Sequence, residues 1–311
     1  MGVGLPLIVS FMGKGGVGKT TCSAAAAISY SRRGYRTMLV TSDPTPSLSD
    51  ILGLRIGNEP KRVVENLWAV ELDSESIIKM WKSRFGEEVY RVVSSLLPVD
   101  REIIDYVAGA PGIDFQFMLA YLLDAYRSGR FDIIVWDTAP AGGTLNLLEV
   151  EQKLYTHLGE AFKLYLSLRS TFEKIRRRKG DDPLKLIDRW RKLAIDVLNM
   201  LSSESFKCIV VSIPEFLGVK QTERIIAELK KFNIKVVKVF VNQIASGEDC
   251  ECEAWRSQVR IHKKYLAQLK ELYMRDPGIV EIPLQRNEIK GVGSLSEFSR
   301  IFERELPNPE A

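Results

Sequence analysis

The run Gly13-Lys14-Gly15-Gly16-Val17-Gly18-Lys19-Thr20 fits the pattern GxxxxGK[ST] in full, and few short strings limit a chain's fold as tightly. The pattern belongs between an apolar strand and a helix, where backbone N–H groups and the helix N-terminus converge on phosphate oxygens. Both flanks are present: Leu7 to Met12 reads as a strand and Thr20 to Arg33 as a helix. Lys19 is then placed to reach the β- and γ-phosphates of a nucleoside triphosphate, and the Thr20 hydroxyl to sit on Mg²⁺. Gly13, Gly15, Gly16, Val17, Gly18 and Thr21 complete the expected nucleotide-binding set.

Further strands are predicted at Arg36 to Thr41, Leu67 to Leu72, Phe131 to Trp136, Phe206 to Ile213, Val236 to Val241 and Ile279 to Pro283. They are apolar almost throughout, as strands are when both faces are covered. The expected fold is therefore α/β: a mainly parallel central sheet flanked by helices. Stretches of about 74–110 and about 150–203 are too long for simple crossovers and carry helical stripes. One runs through Ile77, Trp81, Phe85, Val89, Val92 and Leu96, a second through Leu158, Ala161, Phe162, Tyr165, Leu168 and Phe172, a third through Leu184, Ile187, Trp190, Ala194, Val197 and Leu201. They suggest a helical subdomain inserted into a single ATPase domain spanning 1–311. Its stripes either close on one another or leave an apolar groove. The basic run Arg176 to Lys179 reads as a solvated loop or, alternatively, as a contact with a ribosome or membrane surface.

At 311 residues, with 45% apolar and 27% charged residues, the chain can bury a core unaided. A net charge of +4 does not indicate a nucleic-acid surface. No segment is apolar enough to span a membrane, and four cysteines make no secreted framework. A cytoplasmic protein is expected. Cys22 and Cys208 sit in apolar runs and read as core residues.

Two carboxylates follow predicted strands, on the edge where open α/β sheets bind ligands. Asp43 follows the second strand, and Asp137 follows Ile133-Ile134-Val135-Trp136, the position of a metal-binding Walker B acid. Taken alone, either also suits a helix N-cap or a turn.

The second lysine of the loop, Lys14, gives it a form that resembles the deviant P-loop ATPases. That resemblance implies a homodimer in which Lys14 reaches the partner's nucleotide; a solvated loop lysine is the plain alternative. Asp137-Thr138-Ala139-Pro140 and Asp43-Pro44 are similar to the two switch segments of the ArsA family, which implies that Asp43 positions the attacking water and Asp137 the metal. Thr45, Pro46 and Ser47 depart from the family's switch, and Phe115 from its PGIDE motif at Pro111-Gly112-Ile113-Asp114. Glu215-Phe216-Leu217 with Thr222-Glu223-Arg224, Val241-Asn242-Gln243, Lys263-Lys264-Tyr265-Leu266, and Pro283-Leu284 with Glu288-Ile289-Lys290-Gly291 resemble the guided-entry targeting ATPases of tail-anchored proteins, an ArsA-related group. The resemblance covers nearly the whole chain. It implies Mg-ATP hydrolysis, adenine contacts from Asn242 and Pro283, a client transmembrane helix and transient docking on a membrane receptor. An arsenite- or antimonite-pump subunit is the alternative within the same family. The group's interface zinc motif is CxxC, whereas this chain has Cys250 and Cys252 one residue apart. Those two bind Zn²⁺ across a dimer or are ordinary reduced thiols.

Overall fold

Why the strands of this chain are so uniformly apolar is answered by where they lie. The computed structural model describes residues 5–43, 47–96, 99–110, 113–140, 183–247 and 251–309. Eight strands form one sheet: β1 (Leu7–Gly13), β2 (Thr37–Thr41), β3 (Lys61–Val64), β4 (Leu67–Glu71), β5 (Ile133–Asp137), β6 (Phe206–Ser212), β7 (Val236–Ile244) and β8 (Ile279–Pro283). Their order is β3-β4-β2-β5-β1-β6-β7-β8, and only β3 with β4 is antiparallel. Ile8 to Met12 of the central strand are wholly buried. Each large apolar side chain hidden this way contributes about 2 kcal/mol.

The residues Ala24 to Ala27 form the middle of α1 (Lys19–Arg32) and are fully buried. Alanine is the best helix former, and its small side chain lets a helix lie close to the sheet. The far end of α1 is fastened to the C-terminal segment. The Tyr30 hydroxyl donates to the Pro307 carbonyl at 2.8 Å, and Arg32 to the Ser296 carbonyl at 3.0 Å. That segment forms α9 (Gly291–Phe298) and a 3₁₀ turn (Ser299–Phe302). Phe302 stacks on Phe240 with centroids 5.3 Å apart, which adds aromatic contact to burial. The sheet is also covered by α2 (Leu48–Leu52), α7 (Phe216–Lys231) and α8 (Glu253–Tyr273).

The chain divides into two compact units. The second gathers Ser74–Asp124 and Asn146–Leu201, and its described elements are α3 (Ser74–Leu96), α4 (Ile103–Ala108), most of α5 (Ile113–Arg127) and α6 (Pro183–Leu201). A Cβ on Gly86 of α3 would come within 2.9 Å of Ile104, so these helices pack closely. Trp190 of α6 donates to Glu88 of α3 at 3.3 Å, and Arg189 pairs with the same carboxylate at 2.9 Å. Between them the helices line a half-open apolar cavity of about 230 Å³, with Trp81, Phe85, Phe117, Trp190, Ala194 and Val197 among its walls. No helix among the described residues is long and apolar enough to cross a membrane.

Three differences from the sequence expectations have local causes. β3 reads as no strand because Lys61 and Arg62 are exposed at a sheet edge, where charge discourages further pairing. α5 lacks a recognisable stripe because Phe117 to Ala120, Leu122 and Leu123 are all buried. β7 runs on through Asn242 to Ile244, so Asn242 is a strand residue. The stripe Leu158 to Phe172 and the run Arg176 to Lys179 lie outside the described residues.

Candidate nucleotide site

The order of the strands gathers the polar residues of the site. At one level of the sheet Phe11 registers with Asp137, Asp137 with Thr41, and Thr41 with Glu71. The loop 13–18 leaves the central strand at this edge, where open α/β sheets bind ligands. Gly13 abuts β6 so closely that a Cβ would meet the Val211 carbonyl oxygen at 2.3 Å. Gly18 caps α1 in the left-handed region with φ of 88°.

Lys19 is buried, and its ammonium donates to the Lys14 carbonyl at 3.2 Å. Burial lowers its pKa, while Asp137 and Asp43 oppose that. The Thr20 hydroxyl donates to Asp137 Oδ2 at 2.8 Å and stands 3.5 Å from Ser47 Oγ. Thr41 donates to the same Oδ2 at 3.3 Å. Asp137 is completely buried, its Oδ1 accepts no hydrogen bond among the described residues, and burial pushes its pKa up to about 6. A buried carboxylate with an orphaned oxygen, facing a threonine hydroxyl, is a donor set that fits a hard divalent cation such as Mg²⁺. These residues would hold it.

Asp43 is half-buried; its N–H donates to Thr41 Oγ1 at 3.2 Å, and its charge is felt at both Lys19 and Asp137. Ser42 ties the two carboxylate segments together. Its hydroxyl accepts from Trp136 Nε1 at 3.0 Å and from the Ala139 N–H at 3.4 Å. Thr138 donates to the Phe11 carbonyl at 2.8 Å. Ser42 and Thr41 went unnoticed in the sequence. Their signal is a polar residue closing an apolar strand.

Asn242 lies under the phosphate loop. Its amide donates to the Val17 carbonyl at 2.9 Å, and Gln243, with φ of 58°, donates to the Gly16 carbonyl at 3.5 Å. Pro283 stands one strand further out, in register with Ile244. His262 of α8 secures the end of β7. Its Nδ1 accepts the Ala245 N–H at 2.9 Å, and burial keeps its pKa low against the opposing charge of Glu215. Cys252 is exposed at the start of α8, while Cys250 lies outside the described residues. Cys22 and Cys208 are buried core thiols; burial raises both, Cys208 to about 12. Pro44, Thr45, Pro46, Pro111, Gly112 and 141–145 are likewise outside the described residues.

The contact between Gly18 and Asn242 gives a direct test. A Cβ at Gly18 would approach Asn242 Nδ2 to 2.4 Å while also straining a positive φ. Gly18→Ala is expected to cost about 1–3 kcal/mol in denaturant unfolding. Adding Asn242→Ala should return the steric part and leave the backbone part; full recovery would show that backbone strain contributes nothing.

A family model described as anion-transporting ATPase matches residues 7–304. The chain is 32% identical over 299 residues to "ATPase ASNA1 homolog" of Dictyostelium discoideum, covering 93% of this chain and 87% of that one. It is 31% identical over 304 residues to "ATPase ASNA1 homolog 1" of Paramecium tetraurelia, covering 93% and 90%. It is 29% identical over 305 residues to "ATPase GET3" of Komagataella phaffii, covering 93% and 88%.

Proposed function

This chain belongs to the anion-transporting ATPase family and is an ATPase, and from that premise we propose that it is a targeting factor for tail-anchored membrane proteins. A cytoplasmic homodimer holds the client's transmembrane helix, and ATP hydrolysis resets it for release at a membrane receptor. The observation that carries this reading is the likeness over 93% of the chain to ATPases named ASNA1 and GET3, and an apolar cavity in the helical unit, large enough for a side chain of a client helix, is in keeping with it. An apolar helix in water needs a host that buries it, and amphipathic helices around a hydrophobic space supply that. The motifs at Glu215 to Leu217 and Val241 to Gln243 support the same assignment.

In this reading Lys19 balances charge on the β- and γ-phosphates, and Thr20 with Asp137 holds Mg²⁺. The metal, when bound, neutralises phosphate charge. Asp43 orients the attacking water, with Thr41 steadying the backbone at that position. Lys14 completes the charge clamp on the partner's nucleotide, as an arginine finger does. Asn242 and Pro283 border the adenine. Cys250 and Cys252, with the same pair from a second subunit, would supply the four thiolates for a Zn²⁺ at the dimer interface.

The test is aggregation of a purified tail-anchored helix. Protection that depends on nucleotide is expected, and equal aggregation with and without the protein and ATP would refute the targeting role. Filling the cavity by Ala194→Trp should reduce protection while leaving ATP turnover in place.

A further inference from the structure

We propose that Glu71 is a positioning residue for the metal side of the nucleotide site, acting through the segment that begins at Ser47. The proposal rests on the magnesium–nucleotide reading above. Glu71 ends β4 and is only 6% exposed. Burying a carboxylate is costly unless its oxygens are satisfied, and here they are used fully. Oε1 accepts the Leu48 N–H at 2.8 Å, Oε2 accepts the Ser49 N–H at 3.3 Å, and the Ser49 hydroxyl donates to Oε2 as well. Ser49 Oγ in turn accepts the Ile56 N–H at 3.0 Å, and the Glu71 N–H donates to the Gly57 carbonyl at 2.9 Å. One residue thus closes both ends of the stretch from Leu48 to Gly57.

Such an arrangement exceeds what α2 needs for itself. A helix of this kind is ordinarily capped by its own N-cap side chain, and Ser47 occupies that place. Yet Ser47 makes no capping bond. The carboxylate from β4 satisfies the first N–H groups, and the Ser47 hydroxyl is left 3.5 Å from Thr20 Oγ1. Thr20 is the residue that bonds Asp137. Glu71 therefore fixes where Ser47 stands relative to the two side chains that would hold the cation. Across the strands, Glu71, Thr41 and Asp137 end β4, β2 and β5 at one level. A displacement at Glu71 is transmitted sideways to the metal ligands with little slack.

Nucleotide affinity, read by fluorescence titration with Mg²⁺ and again with EDTA, tests this without turnover. Glu71→Leu is expected to weaken binding about tenfold in Mg²⁺, as loss of a partner behind a metal ligand does, and to leave binding in EDTA unchanged. Glu71→Gln, which keeps an acceptor for the Leu48 N–H, should recover most of the loss. Ser49→Ala, a milder change should the leucine variant not fold, should show a smaller loss in Mg²⁺ alone. Equal losses in both conditions, or none in Mg²⁺, overturn the proposal and leave the nucleotide reading standing. A wild-type protein whose affinity ignores Mg²⁺ overturns both.

Discussion

The Asp43→Asn protein is expected to turn over ATP about 10³-fold more slowly than wild type, the scale on which a positioned acid–base group acts. Its affinity for Mg-ATP should change little. The asymmetry follows from geometry. In the proposed reading phosphate binding is carried by Lys19, Thr20 and the loop N–H groups, whereas Asp43 lies two residues beyond the end of β2. Its charge reaches Lys19 and Asp137 through space, so asparagine removes a charge that the lysine partly balances as well as a proton acceptor. Steady-state turnover beside equilibrium nucleotide binding separates the two. The variant held in ATP should also retain client chains on purification, and recovery of soluble proteins in place of single-pass membrane proteins would count against targeting. Turnover at the wild-type rate would remove Asp43 from the mechanism.

Asp137→Asn is expected to lower Mg²⁺-supported turnover by about 10²-fold or more, and to stabilise the metal-free protein at neutral pH. The second effect follows from burial. Asp137 titrates near 6 in the fold against an ordinary 3.8, with burial the leading cause and Thr20 and Lys19 pulling the other way. The folded chain therefore binds this proton more tightly than the unfolded chain does. Stability from the group is fully present below the ordinary value and is lost as pH rises through about 6. That gap corresponds to about 3 kcal/mol at most. Thermal unfolding in EDTA should show wild type gaining stability as pH falls from about 6 to about 4, with the slope flattened in the variant. Magnesium binding requires the carboxylate and should weaken over the same descent. A wild-type protein equally stable across this window would show that Asp137 is charged without cost.

Much of this arrangement is written locally in the chain and some of it is not. β1, the loop and α1 follow from a buried run, a glycine pattern and an alanine-rich helix, all contiguous in sequence. Asp137 follows from its place after a buried strand. The bonds of Glu71 to Leu48 and Ser49, and of Asn242 to Val17, join residues distant in sequence. They depend on which strands become neighbours, and no spacing rule encodes that. β3 escaped because an edge strand is free of the apolar alternation that marks buried ones, and α5 because a helix buried on most sides shows no polar face.

The burial of α1 decides which parts of the machine stay still. Cys22 to Ser31 are buried without a break, and Tyr30 and Arg32 anchor the helix end to the C-terminal segment. A nucleotide arriving at the start of α1 meets a foundation that cannot shift without breaking tight packing. In the proposed reading, movement on hydrolysis would fall instead on the short tethers through Ser42, Thr41, Thr138 and Ser47, each held by one or two hydroxyl bonds. Those hydroxyls fasten the segment that carries Asp43 to a cradle of which Asp137, at the end of a central strand, is itself a part.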